Sequence, residues 1–336
     1  MNEPNPVIIF ETLNAFQRTG ALKAAIELKV FTALGAGPLD ANSLATACGT
    51  SVRGMRILCD YLTVIGFLEK AHAAYSLTPT AAVFLDQNSP HYMGSVAGFV
   101  AADEIMDTYR DVTGAVRHGG TLLPGGGSTH VDFSLWVEFA KTMAPMMKPA
   151  ADFIANLVAE KHAGSRLRVL DVAAGHGMFG ITIAEQMPDA EIVAQDYQRV
   201  LAVAEQNADI AGVQDRYTLL PGDAMSVDFG SDYDFILLTN FLHHFGVDTC
   251  NTLLKKVRFA LKPQGAVILL DFIPNEDRVS PPTAATFALT MLMSTDQGDA
   301  YTFAEYKQML TAAGFSNNQM VDVPNSPSRL VISSNA

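Results

Sequence analysis

Five titratable side chains follow five short apolar runs in the second half of the chain. Asp171 ends "LRVLD", just ahead of the glycine turn Gly175-His176-Gly177-Met178-Phe179-Gly180. Asp196 ends "AEIVAQD", Asp223 lies in "PGDAM" after "YTLL", His243 lies in "NFLHHF" after "DFILLT", and Asp271 ends "AVILLD". Carboxylates hold ammonium groups and accept hydrogen bonds from hydroxyls and amines. An imidazole takes up a proton near neutral pH. The set suits a ligand with an amine, a sugar and a base, handled beside a proton acceptor.

The turn fits G-x-G-x-x-G, the usual fingerprint of a dinucleotide site. Its glycines let a ligand approach the backbone, and the helix that follows offers partial positive charge. Asp171 separates the ligands. A carboxylate pointing into that crevice repels a pyrophosphate and attracts the ammonium of an amino-acid-like ligand. S-adenosylmethionine carries that ammonium and no phosphate. Asp196 can accept from both ribose hydroxyls, which serves NAD and S-adenosylmethionine alike. Asp223 can accept from an adenine amino group. A nicotinamide oxidoreductase is thus supported by the glycine spacing and opposed by Asp171.

These residues need a frame. From about residue 165, apolar strand-length runs alternate with helical segments, the signature of a parallel sheet flanked by helices. Such sheets bind ligands at the carboxyl ends of their strands, which is where all five residues fall. The last runs, either side of Asn325-Ser326-Pro327, predict an antiparallel pair at the sheet edge. In the first hundred residues, apolar positions at helical spacing predict helices over 12–34. Two more follow, the first capped by Asp40 or Asn42 and ended by Gly49, the second capped by Ser51. With a hairpin in "FLEKAHAAYSLT" they make a winged-helix shape. The segment between is helical, interrupted by "RHGGTLLPGGGSTH". That run lacks the lysine of a phosphate-binding loop and is expected to be flexible.

Composition narrows the partners. The 336 residues carry a formal net charge of −13. Residues 1–100 hold six Lys or Arg against seven Asp or Glu, and the second helix of the winged-helix pair offers only Arg53 and Arg56. DNA binding needs several phosphate contacts, so no nucleic acid is expected. Cys48, Cys59 and Cys250 are scattered, which points to a reducing compartment without disulfides. The N-terminus has no basic residue ahead of a short apolar run, and no run is long enough for a membrane span. A soluble, cytoplasmic protein is expected.

The motifs together resemble the class I S-adenosylmethionine-dependent methyltransferases. The chain is similar to the plant caffeate and hydroxyindole O-methyltransferase family and its bacterial relatives. "VLDVAAGHGMFG" resembles the family's methionine-binding turn, "GDAM" its adenine segment, "LTNFLHHF" its catalytic-histidine segment, and "AFQRTGALKAAIELKVFTAL" with the winged helix its dimerisation domain. The resemblance implies an α/β protein in three parts. Residues 1–100 form a winged-helix-like, essentially all-α dimerisation domain, 101–160 a helical linker with substrate-pocket helices, and 161–336 a Rossmann-like domain on a mostly parallel seven-stranded sheet. It implies S-adenosyl-L-methionine as cofactor, S-adenosyl-L-homocysteine as product and a homodimer. Cofactor-binding residues would be Asp171, Gly175, Gly177, Asp196, Asp223, Ala224 and Asn240.

The expected reaction is O-methylation of a small hydroxylated, aromatic metabolite. A phenol ionises near pH 10, so a base helps, and His243 occupies the family's base position with Asp271 beside it. Plant members read Leu-His-Asp-Trp where this chain has Leu242-His243-His244-Phe245. A second family acid falls at Ala300, where neighbouring Asp299 could substitute. Alternatives are C- or S-methylation of a small acid, or a non-catalytic winged-helix regulator. His243, His244 and Asp271 could form a metal triad. Adjacent histidines in an extended segment point oppositely, so no metal is expected. Trp136, Phe139, Met143, Met146, Met147, Phe287, Met291 and Met293 suit a flat, apolar acceptor. Among them Phe139 and Met143 match pocket positions of the family.

Overall fold

The computed structural model describes residues 4–162 and 164–335. Contacts group the chain into two units, residues 1–102 and 103–336.

The first unit begins with helices Val7–Leu13, Phe16–Glu27 and Val30–Leu34. The two-residue strand β1 (Leu39–Asp40) follows, then helices Ala41–Ala47 and Val52–Val64. Both expected caps are present: Ser43 N–H donates to Asp40 Oδ1 at 2.8 Å and Gly54 N–H to Ser51 Oγ at 3.1 Å. The hairpin read from the sequence is β2 (Leu68–Ala71) paired with β3 (Ala74–Leu77), and β1 adds to β3 as a third antiparallel strand. Phe31, Leu44, Met55, Leu62, Leu68 and Tyr75 fill the core. Arg56 is ion-paired with Asp60 at 2.8 Å, and Asp60 also takes Lys70 and the Tyr75 hydroxyl. Val7, Ile8, Ile9, Phe10, Leu13 and Phe16 are all exposed.

The second unit is built on a seven-stranded sheet. Its strands are β4 (Arg168–Val172), β5 (Glu191–Asp196), β6 (Tyr217–Pro221), β7 (Tyr233–Thr239), β8 (Leu261–Asp271), β9 (Asn317–Asp322) and β10 (Arg329–Ser334). The order is β6-β5-β4-β7-β8-β10-β9. The first five run parallel, and β10 is antiparallel to both neighbours. Leu170, Ile236, Leu238, Val267 and Leu269 are fully buried, as a sheet covered on both faces requires. The chain runs outward from β4 through β5 to β6 and then crosses back to β7, so the winding reverses between the neighbours β4 and β7. That reversal opens a crevice at their carboxyl ends, where Asp171 and Asn240 stand.

One arginine ties the β4–β5–β6 half together. Arg216, in the turn before β6, donates from Nη1 to the carbonyls of Met187 and Ala190 and from Nη2 to that of Ala184. These carbonyls lie at or beyond the end of helix Met178–Gln186, where the backbone supplies Met187 N–H to Ile183 and Ala190 N–H to Met187 and the last-turn carbonyls otherwise depend on outside donors. Replacing Arg216 by Met removes this charged donor from the Ala184 and Ala190 carbonyls and leaves Met187 with Ala190 N–H alone. It should lower unfolding stability by about 2 kcal/mol in urea denaturation; an unchanged midpoint would contradict this.

Candidate active site

Gly175 and Gly177 both adopt left-handed backbone, φ +58° and +74°. At Gly177 a β-carbon would stand 2.5 Å from the Tyr217 hydroxyl, so no side chain fits. Gly175 N–H donates to Asp196 Oδ2 at 2.9 Å and Tyr197 N–H to Asp196 Oδ1 at 2.7 Å. Asp196 thus fixes the turn from the end of β5. Gln195, which the sequence did not single out, donates to the Gly222 carbonyl at 2.6 Å and accepts from Ala173 N–H at 3.3 Å. It ties together the ends of β4, β5 and β6.

Asp171 departs from the expected orientation. Its carboxylate is fully buried beneath the turn rather than standing open at the crevice. Oδ2 accepts from Gly180 N–H at 3.1 Å, and Oδ1 is buried without a partner. The cause is helix Met178–Gln186, whose first-turn N–H groups attract the acid inward. Burial pushes the Asp171 carboxyl up to about 7, and nearby Asp196 adds to the shift. Asp196 is raised to about 6 by burial, against the pull of its two N–H donors. Asp223 is exposed and accepts from Met225 N–H at 2.9 Å, with Ala224 buried beside it. Tyr197 lies between the second and third acids: burial raises its phenol, and Asp223 and Asp196 raise it further.

Asn240 follows β7 with φ +53°. Its N–H joins the Leu270 carbonyl at 2.7 Å, its side-chain amide donates to Met147 Sδ at 3.4 Å, and its Oδ1 is buried without a partner. Phe139 stacks on His176 at 6.1 Å and 13° between planes. A β-carbon on Gly175 would lie 3.5 Å from the Phe139 ring, so this side chain covers the glycine turn. Met143 is buried where its helix, Trp136–Thr142, ends. His176 Nδ1 accepts from Met178 N–H at 3.0 Å, and burial pushes the ring down to about 4.

His243 and His244 lie in a 3₁₀ turn, Leu242–His244. The expectation that the rings diverge assumed an extended segment. The turn instead brings them together, with Nε2 to Nε2 at 3.1 Å. His243 Nδ1 lies 2.5 Å from Asp271 Oδ1. Asp271 is buried, and accepts from Phe272 N–H at 2.8 Å and from the Tyr306 hydroxyl at 2.7 Å. The Phe287 ring meets His243 edge-on at 4.8 Å. Asp299 does not take the second acid position. Its N–H donates to the His243 carbonyl at 3.0 Å, while its carboxylate pairs with Arg278 at 3.2 Å.

The glycine-rich segment expected to be flexible is pinned instead. Thr121 N–H donates to the Thr295 carbonyl and Ser128 N–H to the Ser294 carbonyl, both at 2.8 Å. A β-carbon on Gly127 would lie 2.3 Å from the Ser294 carbonyl. The glycines allow two backbones to touch, and this places Ser128 Oγ 3.1 Å from His244 Nδ1. Trp136 donates to the Ser128 carbonyl at 3.0 Å and meets the His244 ring edge-on. Among the described residues, no group of three or more His, Cys, Asp or Glu is arranged to hold a metal ion.

Comparison with known proteins places this geometry. A family model for the O-methyltransferase domain matches residues 136–316, and one for the O-methyltransferase dimerisation domain matches residues 10–87. The chain is 28% identical to a 3-hydroxy-5-methyl-1-naphthoate 3-O-methyltransferase of Streptomyces sahachiroi, over 94% of this chain and 91% of that one. It is 27% identical to the acetylserotonin O-methyltransferase of Mus musculus, over 92% and 83%. A crystal structure assigned as an O-methyltransferase from Nostoc punctiforme superposes with a TM-score of 0.95 at 48% identity, covering 98% of this chain and 99% of that one. The human N-acetylserotonin methyltransferase, solved with S-adenosylmethionine, superposes at 0.86 with 20% identity, covering 100% and 99%, a likeness of fold.

The raised acids set a pH dependence. Asp171 and Asp196 bind their protons more tightly folded than unfolded, so their contribution is complete below about pH 4 and is lost as pH rises through 6 and 7. The ligand-free protein should therefore melt at a lower temperature at pH 8 than at pH 5. Asp171→Asn should flatten that slope; parallel melting profiles for the two proteins would contradict the assignment.

Proposed function

The chain belongs to the O-methyltransferase family, and from that premise we propose that it moves a methyl group from S-adenosyl-L-methionine to a hydroxyl oxygen of a small aromatic molecule. His243 is the general base and Asp271 its partner. One observation carries this reading: a buried imidazole, held at Nδ1 by a buried carboxylate, stands at the strand edge that also bears the glycine turn.

The residues present suit the cofactor. Asp171 Oδ1 and Asn240 Oδ1 are buried acceptors without partners, and an ammonium donor can satisfy such oxygens. Asp171 would hold the amino-acid end with the Gly175 and Gly177 turn, Asp196 the ribose, and Asp223 and Ala224 the adenine, with Asn240 alongside. Bound there, the cofactor supplies a methyl group already activated by its sulfonium charge. The protein's task is to orient the acceptor, exclude water and take its proton. With Nδ1 protonated and facing Asp271, His243 offers its Nε2 lone pair. Asp271 then stabilises the imidazolium that forms. Phe139 and Met143 belong to the acceptor wall, with Phe139 reaching the turn.

Residues 1–100 serve as the dimerisation domain, 101–160 supply pocket helices, and 161–336 bind the cofactor. The apolar row from Val7 to Phe16 offers a second copy of the chain a surface to cover. The free cysteines suit a cytoplasmic setting, and the ion-paired Arg56 leaves little for DNA. No described helix is long and apolar enough to cross a membrane.

S-adenosylmethionine or S-adenosylhomocysteine should raise the melting temperature and NAD should not; the reverse pattern would sink the reading. His243→Ala should cut turnover on phenolic acceptors about 10²- to 10⁴-fold with cofactor affinity retained. Undiminished turnover removes the base role. Asp196→Ala should weaken cofactor binding by calorimetry, and an unchanged Kd would argue against the ribose contact.

A further inference from the structure

His243 has one lone pair for an acceptor proton, and another imidazole already occupies it. The hydrogen-bond partners fix the directions. Asp271 accepts from Phe272 N–H and Tyr306 O–H, so it takes the His243 Nδ1 proton as a carboxylate would. Neutral His243 is then bare at Nε2. The atom facing it at 3.1 Å is His244 Nε2, which must carry a hydrogen for that contact to be a bond. His244 Nδ1 is then bare and accepts from Ser128 O–H. One consistent chain of donors runs from Ser128 through His244 and His243 to Asp271.

We propose that His244 is a second catalytic residue, donating its Nε2–H to the acceptor oxygen while His243 Nε2 takes that oxygen's proton, with Ser128 as the positioning residue that sets the His244 tautomer. An oxygen set off the line between the two nitrogens, 3.1 Å apart, lies at hydrogen-bond distance from both once it displaces their direct contact. The O–H proton passes to His243 Nε2, and the oxygen's electron pair forms the new bond to the methyl carbon. The carbon–sulfur bond breaks and its pair stays on sulfur. Negative charge that develops on the oxygen as the proton leaves meets the His244 N–H, an oxyanion-type donor in place before the reaction. Burial holds His244 well below the ordinary histidine range, and His243 adds to that.

The surroundings fit the role. His244 packs edge-on against Trp136 and faces Ser128 and His243. His243 faces Asp271, Phe287 and, through its carbonyl, the Asp299 N–H. The nearby Arg278 pairs with both Asp299 and Glu305.

The inference rests on the O-methyltransferase reading, so one test needs no acceptor. In ¹⁵N NMR of histidine-labelled, ligand-free protein, His244 should be protonated at Nε2 and neutral from pH 5 to 8. Ser128→Ala should disturb that tautomer. A proton on Nδ1, or titration at the ordinary histidine pH, overturns the proposal. The second test uses 2-naphthol and the more acidic 4-nitrophenol with labelled S-adenosylmethionine. His244→Phe, which keeps a ring against Trp136, should lower kcat for 2-naphthol about 10²-fold with KM and cofactor Kd retained. The loss should shrink for 4-nitrophenol, whose oxygen is already largely anionic, and His244→Gln should recover part of it. Equal losses on both phenols, or a change in KM alone, overturn the proposal. So does activity abolished by a chelator and restored by zinc, which would assign the paired nitrogens to a metal. Wild-type protein inert to every phenol counts against the proposed function, and the NMR result then decides this inference alone.

Discussion

A buried carboxylate is costly unless its oxygens are satisfied, and Asp271 organises much of this site by drawing donors to it. Its donors come from three places: the backbone just past β8, Tyr306 on the helix that opens at Thr302, and His243 on the turn after β7. Removing any of them leaves a charge in an apolar surrounding. The carboxylate therefore fixes where the helix docks, where the turn bends and which His243 nitrogen carries the proton. Thr302 and Glu305 form a reciprocal capping box that starts the helix in place. Structure and proton bookkeeping are set by the same atoms.

The other half of the crevice is built on the opposite principle. Asp171 is buried with half-buried Asp196 near it, and Asp171 keeps an oxygen unpaired. Such an arrangement is poor for the empty protein, and under the proposed function a cationic ligand would relieve it. The fold tolerates it because the glycine turn and Gln195 bind the strand ends to one another directly.

Much of this was legible in the sequence. The strand ends, the helix caps at Asp40 and Ser51 and the closing antiparallel pair follow from local periodicity and capping, which do not depend on distant residues. The acids of the crevice could be named because a parallel sheet puts all its carboxyl ends on one edge. Their orientations were less accessible. Asp171 turns inward because a helix N-terminus competes for it. His243 and His244 converge because the backbone tightens into a 3₁₀ turn. Ser128 gave no signal at all. It lies 116 residues before His244, in a segment whose glycines read as looseness when they in fact permit close backbone contact.

That glycine segment acts as a ruler. Gly127 sits against the Ser294 carbonyl, and Thr121 is held to Thr295. The chain between the two anchors has a fixed span to cover before Ser128 can reach its histidine. Surface loops usually absorb insertions and deletions freely. Here an added or lost residue would shift the serine out of register with His244. Among homologous chains that keep this serine–histidine pair, the segment should vary in its side chains and hold its length.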